Sequence, residues 1–158
     1  MKLFLPLYFS VFFLATRCKS VNYTPSDYEG QMITIGTGGG FTGLIEEYTI
    51  LSNGQFFYGN GNGNYTMELD RFDKKHVKQL FKNYKLLGFD DINIDKPGNM
   101  YHYLLFKDKD NMHKIQWGAH DSNAPAELLI YFANLKNICN QAKKEKVKRS
   151  SNLKTEKR

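Results

Sequence analysis

The dipeptide Asn53-Gly54, which stands between two apolar, β-branched runs, constrains the fold of this chain more than any other feature. Residues 44–51 and 55–58 flank it, and an Asn-Gly pair in that setting is the strongest short-range signal for a hairpin with a two-residue type I′ turn. Such a turn predicts that Leu51 pairs with Phe56. The chain is therefore expected to build its core on an antiparallel sheet.

A second hairpin is predicted further along the chain, where residues 100–107 and 113–117 again carry strand-forming side chains. Residues 32–35 and 65–69 add two more strands. A loop at Asp110-Asn111 sets four apolar side chains on one face of the sheet, which we expect to belong to the core. These are Leu104, Phe106, Ile115 and Trp117, with Phe106 opposite Ile115 and Leu104 opposite Trp117.

Two amphipathic helices are predicted from apolar residues that recur with the helical period. The first follows Asp73, whose side chain suits the N-cap, and ends before Gly88. Pro125 suits the first turn of the second helix. The predicted buried stripes are Val77, Leu80, Phe81, Tyr84 and Leu87 in the first helix, and Leu128, Phe132, Leu135, Cys139 and Ala142 in the second.

The order of these elements, β-β-β-β-α-β-β-α, is typical of an α+β domain and not of a parallel α/β sheet. We expect an antiparallel sheet of hairpins with the two helices packed on one face. The single domain is assigned to residues 31–142. Residues 21–30 are interpreted as a tether, and residues 143–158 as a disordered basic tail because they offer little apolar surface.

The net charge of +6 is concentrated in this tail, which holds eight Lys or Arg and two Glu, so the rest of the chain is neutral. Because the excess charge does not lie on the domain, no nucleic-acid partner is predicted. Removal of the chain after Ala142 is expected to leave the thermal midpoint nearly unchanged.

Residues 1–20 are typical of an export signal, in which Lys2 precedes an apolar run over residues 3–15. Two cleavage patterns stay open: removal ahead of a lipidated Cys18, or removal after Ser20. A buried N-terminal helix is the alternative to export. We expect a protein exported to the periplasm or held in the cell envelope, with a lipid anchor in the membrane if Cys18 is acylated.

The most distinctive local motif is Thr37-Gly38-Gly39-Gly40-Phe41-Thr42-Gly43, between two predicted strands. It is not a phosphate-binding loop, since neither a Lys-Ser/Thr pair nor a helix follows it. One interpretation is a turn or bulge whose glycines need positive φ. The functional interpretation is a binding loop formed by Gly38, Gly39, Gly40, Phe41, Thr42 and Gly43, with Phe41 as an exposed apolar anchor.

Catalytic and metal-binding patterns are weak in this sequence. The four histidines lack the spacing of metal ligands, so no metal site and no cofactor are predicted. His120, Asp121 and Ser122 have the residue types of a hydrolytic triad, but a working triad converges from separate segments of a fold. We therefore predict no catalytic residue, and keep a small hydrolase using these three residues as the less favoured alternative.

The order of a strand, the Gly39-Gly40-Phe41-Thr42-Gly43 box, an amphipathic helix, a hairpin and a closing helix resembles small exported bacterial proteins of uncharacterised function, many of them lipoproteins. Over residues 31–135 it is also loosely similar to emfourin, a family of protein inhibitors of thermolysin-type metalloproteases. The resemblance implies a non-catalytic α+β module with a protein partner, for which a protease is the candidate. An envelope-associated structural lipoprotein is the other alternative.

Overall fold

The computed structural model describes residues 22–61 and 64–155, and within them seven strands form one sheet accompanied by two α-helices. The strands are β1 (Met32–Gly39), β2 (Glu46–Leu51), β3 (Phe56–Gly59), β4 (Tyr65–Leu69), β5 (Asp95–Lys96), β6 (Met100–Asp108) and β7 (Asn111–Trp117), and the helices are α1 (Lys74–Leu86) and α2 (Ala126–Thr155). The strand order is β4-β3-β2-β1-β6-β7-β5, antiparallel except where β5 meets β7. The predicted α+β class is confirmed.

Both helices contribute to one buried cluster on a single face of the sheet. Its helical members are Val77, Phe81 and Tyr84 of α1 and Leu128, Phe132, Leu135 and Cys139 of α2, together with side chains of β1, β2, β3, β4, β6 and β7. Asp73 caps α1 as predicted, and Gly88 adopts the left-handed conformation after its last turn. The predicted stripes are confirmed apart from Leu87, which is exposed.

The turn between β2 and β3 is not the predicted type I′ turn. Ile50, and not Leu51, pairs with Phe56, and a hydrogen bond of 2.9 Å from the Leu51 N–H to the Gln55 carbonyl closes a three-residue loop. Gly54 has a φ of 93°, and no other residue of the loop has a positive φ, whereas a type I′ turn needs two. Because side chains alternate along a strand, this one-residue shift turns Leu51 to the face without helices, where it is buried in a second, smaller cluster.

The hairpin of β6 and β7 differs from its predicted register by two residues. Its loop is Lys109-Asp110, with Lys109 at a φ of 54°, so that Leu104 pairs with Ile115. A shift of two residues keeps each side chain on its original face. The predicted pairing is therefore wrong, while the predicted core face is confirmed, since Leu104, Phe106, Ile115 and Trp117 are all buried.

Helix α2 continues past Ala142 to Thr155, so the prediction of a disordered tail from residue 143 is wrong for the part of it that the structure describes. Side chains of β2 and β3 and of the residue after β4 hold this part of the helix by charge and not by apolar burial. The ion pairs are Lys143 with Glu46, Lys146 with Asp70 and Arg149 with Asp70. Lys143 also lies over the ring of Tyr58, 3.6 Å from its centre.

The segment predicted as a tether is docked on the sheet over residues 22–30. The buried side chain of Gln55 holds it, since the Tyr23 N–H donates to Oε1 at 2.9 Å and Nε2 donates to the Tyr23 carbonyl at 3.0 Å. Pro25 is also buried, so a flexible link is the wrong description of these residues. The predicted export signal over 1–20 lies outside the described residues. Within them, no helix is both long enough and apolar enough to cross a membrane.

Candidate functional site

The Gly-rich box is half strand and half loop. Residues 37–39 belong to β1, where Gly38 pairs with Tyr101 of β6, and residues 40–45 form the connection to β2. A Cβ atom at Gly38 would lie 2.7 Å from the hydroxyl oxygen of Tyr101, so this glycine serves packing within the sheet. The contact loop, predicted over residues 37–43, is therefore limited to the residues that follow Gly39, because residues 37–39 belong to a strand.

Glycines determine the shape of this loop. Gly39, Gly40 and Gly43 have φ angles of 95°, 72° and 61°, a region that other residues enter only with strain. The Gly40 N–H donates to the carbonyl of Asn99 at 2.7 Å, and the Gly43 N–H donates to the Gly40 carbonyl at 3.2 Å. The prediction that the glycines serve a turn of positive φ is confirmed, and the turn has a defined conformation.

Apolar side chains project from the loop into solvent. Phe41 is fully exposed, as predicted, and Leu44 has 72% of its surface exposed. Met100, with 53% exposed, adjoins Gly40 of the same loop through its sulfur atom. Three large apolar side chains from two segments thus lie at the same end of the sheet.

A polar cluster that sequence reasoning missed lies at the base of the loop. Lys136 of α2 donates from Nζ to the Thr37 hydroxyl oxygen at 2.7 Å, and that oxygen lies 3.1 Å from Nδ1 of His102 on β6. Burial, and then the charge of Lys136, lower the pKa of His102. Thr37, His102 and Lys136 belong to three separate elements, and no local motif connects them, so only the folded chain could reveal the cluster.

The alternative hypothesis of a small hydrolase rests on His120, Asp121 and Ser122. These residues lie in an exposed connection between β7 and α2. The Ser122 N–H donates to the Ala119 carbonyl at 3.0 Å, which forms a tight turn. Asp121 pairs with Lys96 at 2.8 Å, and this hydrogen bond and charge lower the pKa of the carboxyl group. The Asp121 carboxylate is thus engaged by Lys96 and not by His120.

Of the two cysteines, the structure describes only Cys139. Cys139 is fully buried in the core, as predicted, and burial raises the pKa of its thiol. Cys18, the predicted lipidation site, lies outside the described residues. Over residues 22–61 and 64–155, no group of three or more His, Cys, Asp or Glu side chains is arranged to hold a metal ion.

Comparison of the chain with protein-family models and with curated proteins finds no match.

Proposed function

We propose that the protein is an exported, non-catalytic binding module that contacts a partner protein through Phe41 and the loop at residues 40–45. The observation that carries the proposal is the complete exposure of Phe41 on a loop whose backbone is held by glycine conformations and hydrogen bonds. A few large side chains supply most of the free energy in protein interfaces. A loop that is already ordered loses little conformational entropy when it binds.

The neighbours of Phe41 support the same function. Leu44, in the same loop, and Met100, whose sulfur lies beside Gly40, add two more exposed apolar side chains at this end of the sheet, and exposed apolar side chains grouped on a soluble domain commonly mark interaction sites. The Asn99 carbonyl anchors the loop to the strand that carries Met100, so the three apolar side chains are displayed on one ordered support. This arrangement suits insertion of Phe41 into an apolar pocket of a partner.

The proposal has two finer parts. The resemblance of the Gly-Gly-Phe-x-Gly box to emfourin favours a protease as partner, and a thermolysin-type metalloprotease is the first one to test. The pattern of residues 1–20 favours export to the periplasm or cell envelope, with a membrane anchor if Cys18 is acylated.

Site-specific photo-crosslinking tests the contact loop. A benzophenone amino acid is placed at Phe41 and, as a matched control, at Met112, which is 68% exposed at the opposite end of the β6–β7 hairpin. We expect a saturable crosslink to one envelope protein from position 41 and none from position 112. Excess parent protein should compete for this crosslink and excess Phe41→Ala should not. Equal labelling from both positions would contradict the proposal.

The protease part of the proposal is tested by titrating a thermolysin-type enzyme with the parent protein and with Phe41→Ala. We expect a stoichiometric loss of peptidase activity with the parent alone. Urea melting provides the folding control: Phe41→Ala should retain the stability of the parent to within about 1 kcal/mol because an exposed ring is removed. An uninhibited enzyme would refute the protease partner but not the contact loop.

A further inference from the structure

A second site lies below the contact loop, in a shallow cavity of about 420 Å³ that is widely open to solvent, between α2 and the end of the sheet. Trp117, Leu129 and Phe132 form its apolar part, and His102, Lys136 and Asn140 form its polar part. The rings of Trp117 and Phe132 meet edge to face with centres 5.0 Å apart, and His102 lies 5.1 Å from Phe132. Trp117 and Phe132 are 4% and 6% exposed, so the cavity places the edges of two buried aromatic rings, together with the more exposed Leu129, beside a group of polar side chains.

The polar part carries one positive charge without a counter-ion. Lys136 is half-buried, and among the described residues no carboxylate forms an ion pair with it. An ammonium group has three N–H donors, of which the contact with Thr37 uses one. Its remaining hydrogen-bonding capacity is available to a ligand in the cavity.

Two neighbouring groups add polar atoms to the cavity. The Thr37 hydroxyl oxygen accepts from Lys136 and lies 3.1 Å from Nδ1 of His102, so Nε2 is the ring nitrogen of His102 that has no hydrogen-bond partner among the described residues. Asn140 stands one helical turn after Lys136 and accepts at Oδ1 from the Tyr48 hydroxyl at 2.7 Å. In the part of the chain that the structure describes, the NH₂ group of Asn140 has no acceptor of its own.

We propose that this cavity binds an organic carboxylate that carries an apolar group, with the carboxylate on Lys136 and the apolar group against Phe132 and Trp117. A single ammonium balances a monoanion, whereas a phosphate dianion would keep an excess negative charge. The amide group of Asn140 adds a second donor for the other carboxylate oxygen. The same chemistry is presented by a small free acid and by the C-terminal residue of a peptide.

Trp117 is the single tryptophan of the chain, so its fluorescence reports on the cavity directly. The probe is 3-phenylpropanoate, and 3-phenylpropanamide is its uncharged counterpart. We expect a saturable change with the acid and at least about tenfold weaker binding of the amide, since a hydrogen bond to a charged group is lost. Equal affinity for acid and amide, or no saturable change with the acid, would overturn the proposal.

Two lysine variants test whether Lys136 supplies the positive charge that binds the carboxylate. Lys136→Met keeps the apolar stem and removes the ammonium, and it should weaken binding of 3-phenylpropanoate at least about tenfold. Lys144→Met, at an exposed position of the same helix, should bind as the parent does. Unchanged binding by Lys136→Met would overturn the proposal. Phe41→Ala should also bind the probe normally, so this test is independent of the contact loop.

The two sources of carboxylate are separated with the tripeptide Gly-Gly-Phe, with a free C-terminus and with an amidated one. A free peptide that binds at least about tenfold more tightly than 3-phenylpropanoate assigns the site to peptide C-termini. Comparable affinities assign it to small acids. An amidated peptide that binds as tightly as the free one would contradict recognition of the carboxylate.

Discussion

At the scale of single residues, two glycines of β1 are explained by the tyrosines opposite them. Gly36 pairs with Tyr103 and Gly38 with Tyr101, on the face of the sheet away from the helices. A Cβ atom at Gly36 would overlap the Tyr103 ring, so the ring lies flat on the strand where a side chain is missing. The Tyr103 hydroxyl donates to the buried carboxylate of Glu47, which satisfies that charged group.

The substitution Gly36→Ala should therefore destabilise the protein by about 1–3 kcal/mol, because the new methyl group must displace the Tyr103 ring and its bond to Glu47. Urea melting measures this loss. Tyr103→Ala supplies the control, since in that background the methyl group meets no ring. The double variant Gly36→Ala/Tyr103→Ala should lose less free energy of unfolding than the sum of the losses measured for the two single variants. Strict additivity would show that the ring does not determine the need for glycine at this position.

At the scale of elements, α2 is the feature whose length depends most on its surroundings. Its last turns carry few apolar side chains, but Lys143 lies between the Tyr58 ring and Glu46. Burial by itself lowers the pKa of Lys143, but its hydrogen bonds to Tyr58 and Glu46 raise the pKa by more, so the pKa is raised overall. The hydrogen bond from Lys146 similarly lowers the pKa of Asp70, against a smaller effect of burial. The helix thus extends past two acidic side chains, Glu46 and Asp70, that lie outside it.

Two truncations separate this explanation from the expectation of a dispensable tail. A chain ending after Ala142 loses all of these contacts, and its free energy of unfolding should be about 1–2 kcal/mol lower than that of the parent. The reason is that each exposed ion pair contributes about 1 kcal/mol or less and the cation–π contact a similar amount. A chain ending after Ser150 keeps Lys143, Lys146 and Arg149 and should match the parent. Urea melting at low and moderate salt gives both values. Identical stability of all three chains would contradict the explanation.

At the scale of the whole molecule, β1 joins the two hairpins into one sheet. It pairs with β2 on one side and with β6 on the other, and Ile33 opposite Phe106 is one of the contacts that link distant parts of the chain. The end of this central strand passes directly into the loop of Phe41. The contact loop and the cavity of Lys136 therefore both join the end of β1, the loop after Gly39 and the cavity through Thr37.

The proposed export also concerns the whole molecule, and the mature N-terminus tests it. In protein purified from its native host, mass spectrometry should show loss of the first 17 to 20 residues, because residues 1–20 have the charge and apolar pattern of a signal segment. A diacylglyceryl group on Cys18 would identify a lipoprotein, and a chain starting after Ser20 would identify ordinary cleavage. An intact Met1 would refute export.

Local patterns were sufficient to predict the two helices, six of the seven described strands and most of their buried faces, but not the two-residue strand β5 or the full length of α2. The cap at Asp73, the stripes of both helices and the face shared by Leu104 and Ile115 depend on residues close together in sequence or on the two-residue period of strands. That period also explains an error: a register shift of two residues leaves every face unchanged, so the pattern cannot distinguish the two pairings of β6 with β7.

Tertiary structure decided what depends on contacts between distant residues. The pairing of β1 with β6 and the extension of α2 along acidic side chains of other elements have no local signal. The same is true of the site, since Thr37, His102 and Lys136 meet only after the sheet and α2 have packed together. The sequence alone determined that Phe41 stands in a glycine loop without side chains to cover it, because glycine has no side chain. Tertiary structure placed the cavity lined by His102, Phe132 and Lys136 beneath that loop, because its residues come from distant parts of the chain.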